Sequence, residues 1–92
     1  MSRAKDVIQP WMEEVWPAAQ AVWRAADRPA RAHAMNARVG DSTAYRTFLD
    51  AWGGLNTRLL RATLTLWWWS VGGDPDTWPT PDQVRERWEA TS

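Results

Sequence analysis

Arg58 and Arg61 lie a few residues ahead of three consecutive tryptophans, Trp67, Trp68 and Trp69. Residues of these types can do recognition chemistry. A guanidinium grips phosphate or carboxylate through a planar fork of donors, while an indole offers a face on which a base or side chain stacks. Reactive chemistry is much harder to assemble from this chain. His33 is the sole histidine, and general-base work needs a positioned partner, so it reads as a surface or hydrogen-bonded residue. Glu13 and Glu14 share a solvated face with prolines. Asp74 and Asp76 lack the remaining oxygen ligands of a calcium loop. Gly53-Gly54 and Gly72-Gly73 read as helix stops rather than phosphate cradles. Without cysteine there is no disulfide, thiolate metal site or cysteine nucleophile. The expectation is a protein that is not an enzyme, with no cofactor and no metal.

The elements that must position the arginines and tryptophans follow from a 3.6-residue periodicity with no strand-like alternation. Apolar residues recur at Ile8, Trp11, Met12, Val15, Trp16, Ala19, Val22, Trp23 and Ala26. This pattern predicts a helix over about 10–28, opened by Pro10, bent at the solvent-side Pro17 and stopped by Pro29. An alanine-rich helix over 29–39 can lie close to a neighbour. Asp41 or Ser42 caps a third helix over 42–52, ended by Gly53-Gly54. A fourth runs over 55–71 and stops at Gly72-Gly73. After a proline-rich loop over 74–80, Thr80-Pro81-Asp82-Gln83 forms a capping box for a last helix over 81–90. The reading is one all-α domain spanning 1–92, a compact bundle of about five short helices.

On the wheel of the 55–71 helix, successive residues are about 100° apart, so the tryptophan triplet separates. Trp67 joins Leu60, Leu64 and Val71 on a core-facing arc. Leu55, Leu59, Ala62 and Leu66 form a second apolar arc. Thr57, Arg58, Arg61, Thr65, Trp68 and Trp69 make up the only polar stripe. Nine tryptophans in 92 residues exceed what a small domain can enclose, since each brings roughly 150–250 Å². About half are expected to stay partly exposed, where tryptophan anchors interfaces. Trp68, Trp69 and Trp78 are the expected protein-interface residues.

Formal net charge is zero, but residues 24–61 sum to +4, 1–23 to −1 and 62–92 to −3. Arg24, Arg28, Arg31 and Arg38 could extend the Arg58–Arg61 stripe into a surface facing an RNA or DNA backbone. They could equally be a solvated face paired by Asp27–Arg31 and Arg46–Asp50 contacts. The longest apolar run, 59–71, is interrupted by Arg61, two threonines and Ser70 and is too short for a membrane span. The start of the chain has no apolar signal-peptide core, which suggests a cytoplasmic protein. Abundant Ala and Arg beside single Lys, Ile, Phe and Tyr residues suggest a GC-rich bacterial source, a phage or a plasmid.

Three functional readings follow. The first is a non-catalytic subunit of a larger nucleoprotein assembly, part of a hetero- or homo-oligomer. It would dock protein partners through exposed tryptophan and single-stranded nucleic acid through Arg24, Arg28, Arg31, Arg38, Arg58 and Arg61. In architecture alone this resembles the small helical subunits of multisubunit CRISPR effector complexes, which line a nucleic-acid groove without catalysis. The second is a phage- or plasmid-encoded protein-binding module, an inhibitor or virion component with no nucleic-acid role. The third is a helix-turn-helix DNA reader, with Asn56, Thr57, Arg58 and Arg61 at the start of a recognition helix. A membrane role is not expected, because the arginines do not line one long amphipathic helix.

Overall fold

Residues 3–37, 47, 57–75 and 77–91 are described by a computed structural model. They form four α-helices: α1 (Arg3–Ala25), α2 (Arg28–Asn36), α3 (Thr57–Ser70) and α4 (Pro81–Thr91). Both α1 and α2 pack on α3, and α4 packs on α1. The radius of gyration, 12.3 Å, is what a folded chain of this length should have. The expected all-α class is observed. Apart from residue 47, which is helical, the helix expected over 42–52 and its Gly53-Gly54 stop lie outside the described residues.

α1 is longer than its sequence pattern implied. It starts at Arg3, so Pro10 stands inside the helix with Pro17 rather than opening it. Each proline removes one backbone donor and crowds the carbonyl four residues back. Both prolines are exposed, so water can satisfy the freed carbonyl and the helix continues through. The opposite face buries Trp11, Met12, Val15 and Ala19. α1 then ends at Ala25, short of Pro29. Asp27 adopts an extended conformation (φ −73°, ψ 167°) and its side chain accepts a 2.8 Å hydrogen bond from Ala30 N. The break therefore follows the N-cap, and Pro29 sits in the first turn of α2, where a missing donor is harmless.

α3 is the centre of the molecule. Leu60, Leu64, Trp67 and Trp68 join Trp11, Met12, Val15 and Ala19 of α1 and Val84 of α4 in one core cluster. Ala34, Ala62 and Leu66 form a second cluster between α2 and α3, with Ala30 and Met35 packed beside it. Small side chains on both helices permit this close approach, as the alanine-rich sequence of α2 predicts.

The C-terminal turn of α3 is a Schellman motif. Gly73 N donates to Trp68 O (2.9 Å) and Gly72 N to Trp69 O (3.0 Å), the paired reverse bonds that close such an end. Gly72 occupies the left-handed region at φ 84°, where residues other than glycine are strained. The expected Gly-Gly stop is thus realised by hydrogen bonds to two of the three consecutive tryptophans.

The capping box at α4 is also realised. Thr80 N donates to Gln83 Oε1 (2.8 Å) and Gln83 N donates to Thr80 Oγ1 (3.2 Å), with Pro81 at the first helical position. Each side chain satisfies a backbone donor that the helix itself leaves open. Thr80→Ala removes one half of this exchange and is expected to cost about 1 kcal/mol. Urea unfolding would show it as a lower midpoint at unchanged slope.

Candidate interaction surface

The polar stripe expected on α3 is not a surface. Residues 62–68 are all buried, which corrects the expected exposure of Trp68. Two local bonds offset the cost of burying the threonines. Thr63 Oγ1 donates to Leu59 O at 2.8 Å and Thr65 Oγ1 to Arg61 O at 2.7 Å. Each hydroxyl thereby returns to its own helix and presents only a methyl group to its neighbours. Arg61 is half-buried and donates from Nη2 to Ala37 O at 2.7 Å, tying the end of α2 to α3. Its role in the fold is structural. Arg58 is exposed.

Trp68 is core because the chain doubles back over it. Its Nε1 donates to Asp74 O at 3.1 Å, so the indole donor is satisfied without water. Gly73 lies flat on the ring: a Cβ there would overlap indole atoms of Trp68. On a helical wheel this return of the chain is invisible. Trp78 is likewise corrected to core. It is 7% exposed and belongs to the cluster of Trp11, Trp67 and Val84, with Pro79 buried beside it. The proline-rich loop lays apolar side chains into the bundle instead of projecting them outward.

Of the three expected interface tryptophans, only Trp69 keeps partial exposure. Its ring lies 5.1 Å from that of His33 on α2. Trp16, Trp23 and Trp88 are half-buried as well. Among the described residues four tryptophans are buried and four half-buried, close to the expected proportion but with different identities. A helical wheel hides Trp23, because it stands on the core stripe of α1. Its position in the last turn before a helix break, at the margin of the bundle, was the available signal.

Trp23 and Trp69 flank the second core cluster together with Val22, Ala26 and Ala30, at the corner where α1 turns into α2. Arg31 holds this corner. Its Nε donates to Trp23 O and its Nη2 to Arg24 O, both at 2.9 Å. Its guanidinium carbon stands 5.7 Å from the Trp23 ring centroid. The last carbonyls of α1 thus receive a cationic cap from the next helix. The expected Asp27–Arg31 pairing is replaced by this clamp and by the Asp27 N-cap. Arg24 and Arg28 remain exposed beside it, and Arg38 lies outside the described residues. No family model matches the chain, and neither a curated protein nor a solved structure is detectably similar to it.

The six arginines expected to form one surface therefore divide. Arg31 and Arg61 are committed to backbone carbonyls, Arg24 and Arg28 stand at the α1–α2 corner, and Arg58 stands at the start of α3. Trp69, near the end of α3, meets His33 within α2, whereas Arg61, near the start of α3, meets Ala37 just past the end of α2. α2 and α3 are thus antiparallel. The corner is separated from Arg58 by roughly 16 Å along α3, from the rise of about 1.5 Å per residue. Arg31→Ala is expected to lower stability by about 1–3 kcal/mol, because two bonds from a charged donor disappear. Arg24→Ala should stay within about 0.5 kcal/mol. Paired thermal melts would separate the two.

A cleft of about 690 Å³ is lined by Trp68, Gly73, Asp74, Gln83, Glu86 and Arg87. Arg87 closes one side, donating to Val71 O at 3.1 Å with its guanidinium carbon 5.8 Å from the Trp68 ring centroid. Among the described residues no group of three or more His, Cys, Asp or Glu is placed to hold a metal ion. No helix among them is long and apolar enough to cross a membrane.

Proposed function

We propose that this chain is a non-catalytic helical subunit of a larger assembly, docking a protein neighbour through the α1–α2 corner. The observation that carries this reading is the corner itself. Two half-buried indoles, Trp23 and Trp69, stand there beside Arg31, His33 and the exposed Arg24 and Arg28. Tryptophan and arginine are the residues enriched at the energetic centres of interfaces. An indole already held on one side by the fold loses little freedom when a partner covers its other side.

Nucleic-acid contact is the accompanying element, carried by Arg24, Arg28 and Arg58, the members of the expected set that are exposed among the described residues. Protein docking is favoured over it because the arginines divide between two ends and Arg31 and Arg61 serve the backbone. A helix-turn-helix reading is disfavoured by the burial of 62–68, which leaves α3 little face to enter a groove.

The test is affinity capture with the intact chain, comparing wild type with Trp23→Ala/Trp69→Ala and Arg24→Ala/Arg28→Ala, each checked for native helicity. A partner lost with both variants supports docking at the corner. A partner retained by both would overturn it. Anisotropy titration of a labelled single strand at low salt addresses the accompanying element. Binding that weakens steeply with salt and drops in the arginine variant is expected if that element holds.

A further inference from the structure

The charge of this chain is zero in sum but unevenly distributed along it. Residues 24–61 carry +4 and residues 62–92 carry −3. Among the described residues α2 carries Arg28 and Arg31 and no carboxylate, whereas α4 carries Asp82, Glu86 and Glu89 with Arg85 and Arg87. α2 packs on α3, whereas α4 packs on α1. On the basic side Arg24 and Arg28 are exposed around the half-buried Trp23 and Trp69. On the acidic side Asp82, Glu86 and Glu89 are exposed on α4. Their spacing of four and three residues places them in one stripe. Glu86 and Asp74 both line the cleft beside α4, together with Arg87. Of the two α4 arginines, Arg87 is held on Val71 O and over Trp68. Arg85 is exposed next to the acidic stripe.

We propose that the occupant of the α1–α2 corner is a second copy of this chain, whose α4 acidic stripe and adjoining cleft receive Arg24 and Arg28. This rests on the docking role of the corner and names its partner. The two surfaces are complementary rather than identical, so the contact is heterologous. Each copy retains one free basic corner and one free acidic face, and assembly proceeds head to tail. The cleft, about 690 Å³ and open to solvent, is large enough to admit long side chains. The half-buried indoles supply the apolar centre, and the charges supply orientation and encounter rate. A chain of zero net charge meets no overall repulsion between copies.

Analytical ultracentrifugation of the intact chain tests this, at about 0.05 M and about 0.5 M salt, where screening differs strongly. The expected result is a weight-average mass that rises with concentration at low salt and returns toward the monomer at high salt. Arg24→Glu/Arg28→Glu should weaken association at least about tenfold, and Glu86→Arg/Glu89→Arg should do the same. Mixing the two variants restores assembly, because each then presents surfaces complementary to the other. Circular dichroism of each variant establishes that it is folded.

A wild type that stays monomeric at low salt up to about 100 µM would overturn the proposal. So would two folded variants that fail to associate when mixed. In either case the capture experiment decides the parent reading separately. A different protein bound through Trp23 and Trp69 leaves the corner a docking site with another occupant, and no corner-dependent partner removes both.

Discussion

Trp67→Ala is expected to remove about 3–5 kcal/mol of folding stability, the range for truncating a buried aromatic ring. A 92-residue domain has on the order of 5–14 kcal/mol in total, so the variant should be close to unfolded at physiological temperature. Trp67 is 3% exposed in the centre of the main core cluster. Its ring centroid lies 6.4 Å from that of Trp68 and 6.3 Å from that of Trp88, so its removal opens a cavity bounded by two further indoles. Those rings are held by their own helices and cannot collapse fully into the space. Trp88→Ala, at a half-buried position, should cost markedly less. Guanidinium denaturation of both variants checks the order. A Trp67→Ala loss below that of Trp88→Ala would contradict the central placement of α3.

Gly73→Ala is the smallest change from which a large effect is expected. The added methyl group would overlap the Trp68 ring. Ring and backbone are both fixed there by the Trp68–Asp74 bond and the reverse bond from Gly73 N. Overpacking at such a site costs about 1–3 kcal/mol. Gly72→Ala acts differently. Its Cβ would meet Arg87 Nη1 only at ordinary contact distance, 3.5 Å, and the penalty there comes from the left-handed backbone, about 1–2 kcal/mol. Smaller rings distinguish the two mechanisms. Trp68→Phe should partly relieve Gly73→Ala, giving a non-additive double-mutant cycle, and should combine additively with Gly72→Ala. Additivity in both cycles would show that the ring does not press on Gly73.

Local signals proved legible wherever the physics is local. The capping box at Thr80, the Gly-Gly stop after α3, the apolar stripe Trp11–Met12–Val15–Ala19 and the close-packing alanines of α2 all depend on residues within one or two turns of each other. What escaped the sequence was decided by distant segments. Trp68 and Trp78 looked peripheral because the return of Gly73, Asp74, Trp78 and Pro79 over the bundle has no periodic signature. Thr63 and Thr65 looked polar because hydropathy weighs a hydroxyl as solvent-seeking, whereas each hydroxyl here bonds the carbonyl four residues back. Arg31 and Arg61 looked free for ligands, yet each reaches across to carbonyls of another segment. The candidate surface consequently moved from α3 to the α1–α2 corner, where Trp23 rather than Trp68 accompanies Trp69.

The main core cluster takes Trp11 and Met12 from near one end of the sequence and Val84 from near the other. Its closure links residues more than seventy positions apart, so the entropy of a long loop must be overcome before the cluster can form. During synthesis α1 and α2 can form early as local structures, but the apolar face of α1 stays uncovered until α3 has been made, and its cover is completed only by α4. Completion of this core is therefore a late event for a helical chain, and the folding rate should fall below that of bundles whose neighbours in space are neighbours in sequence.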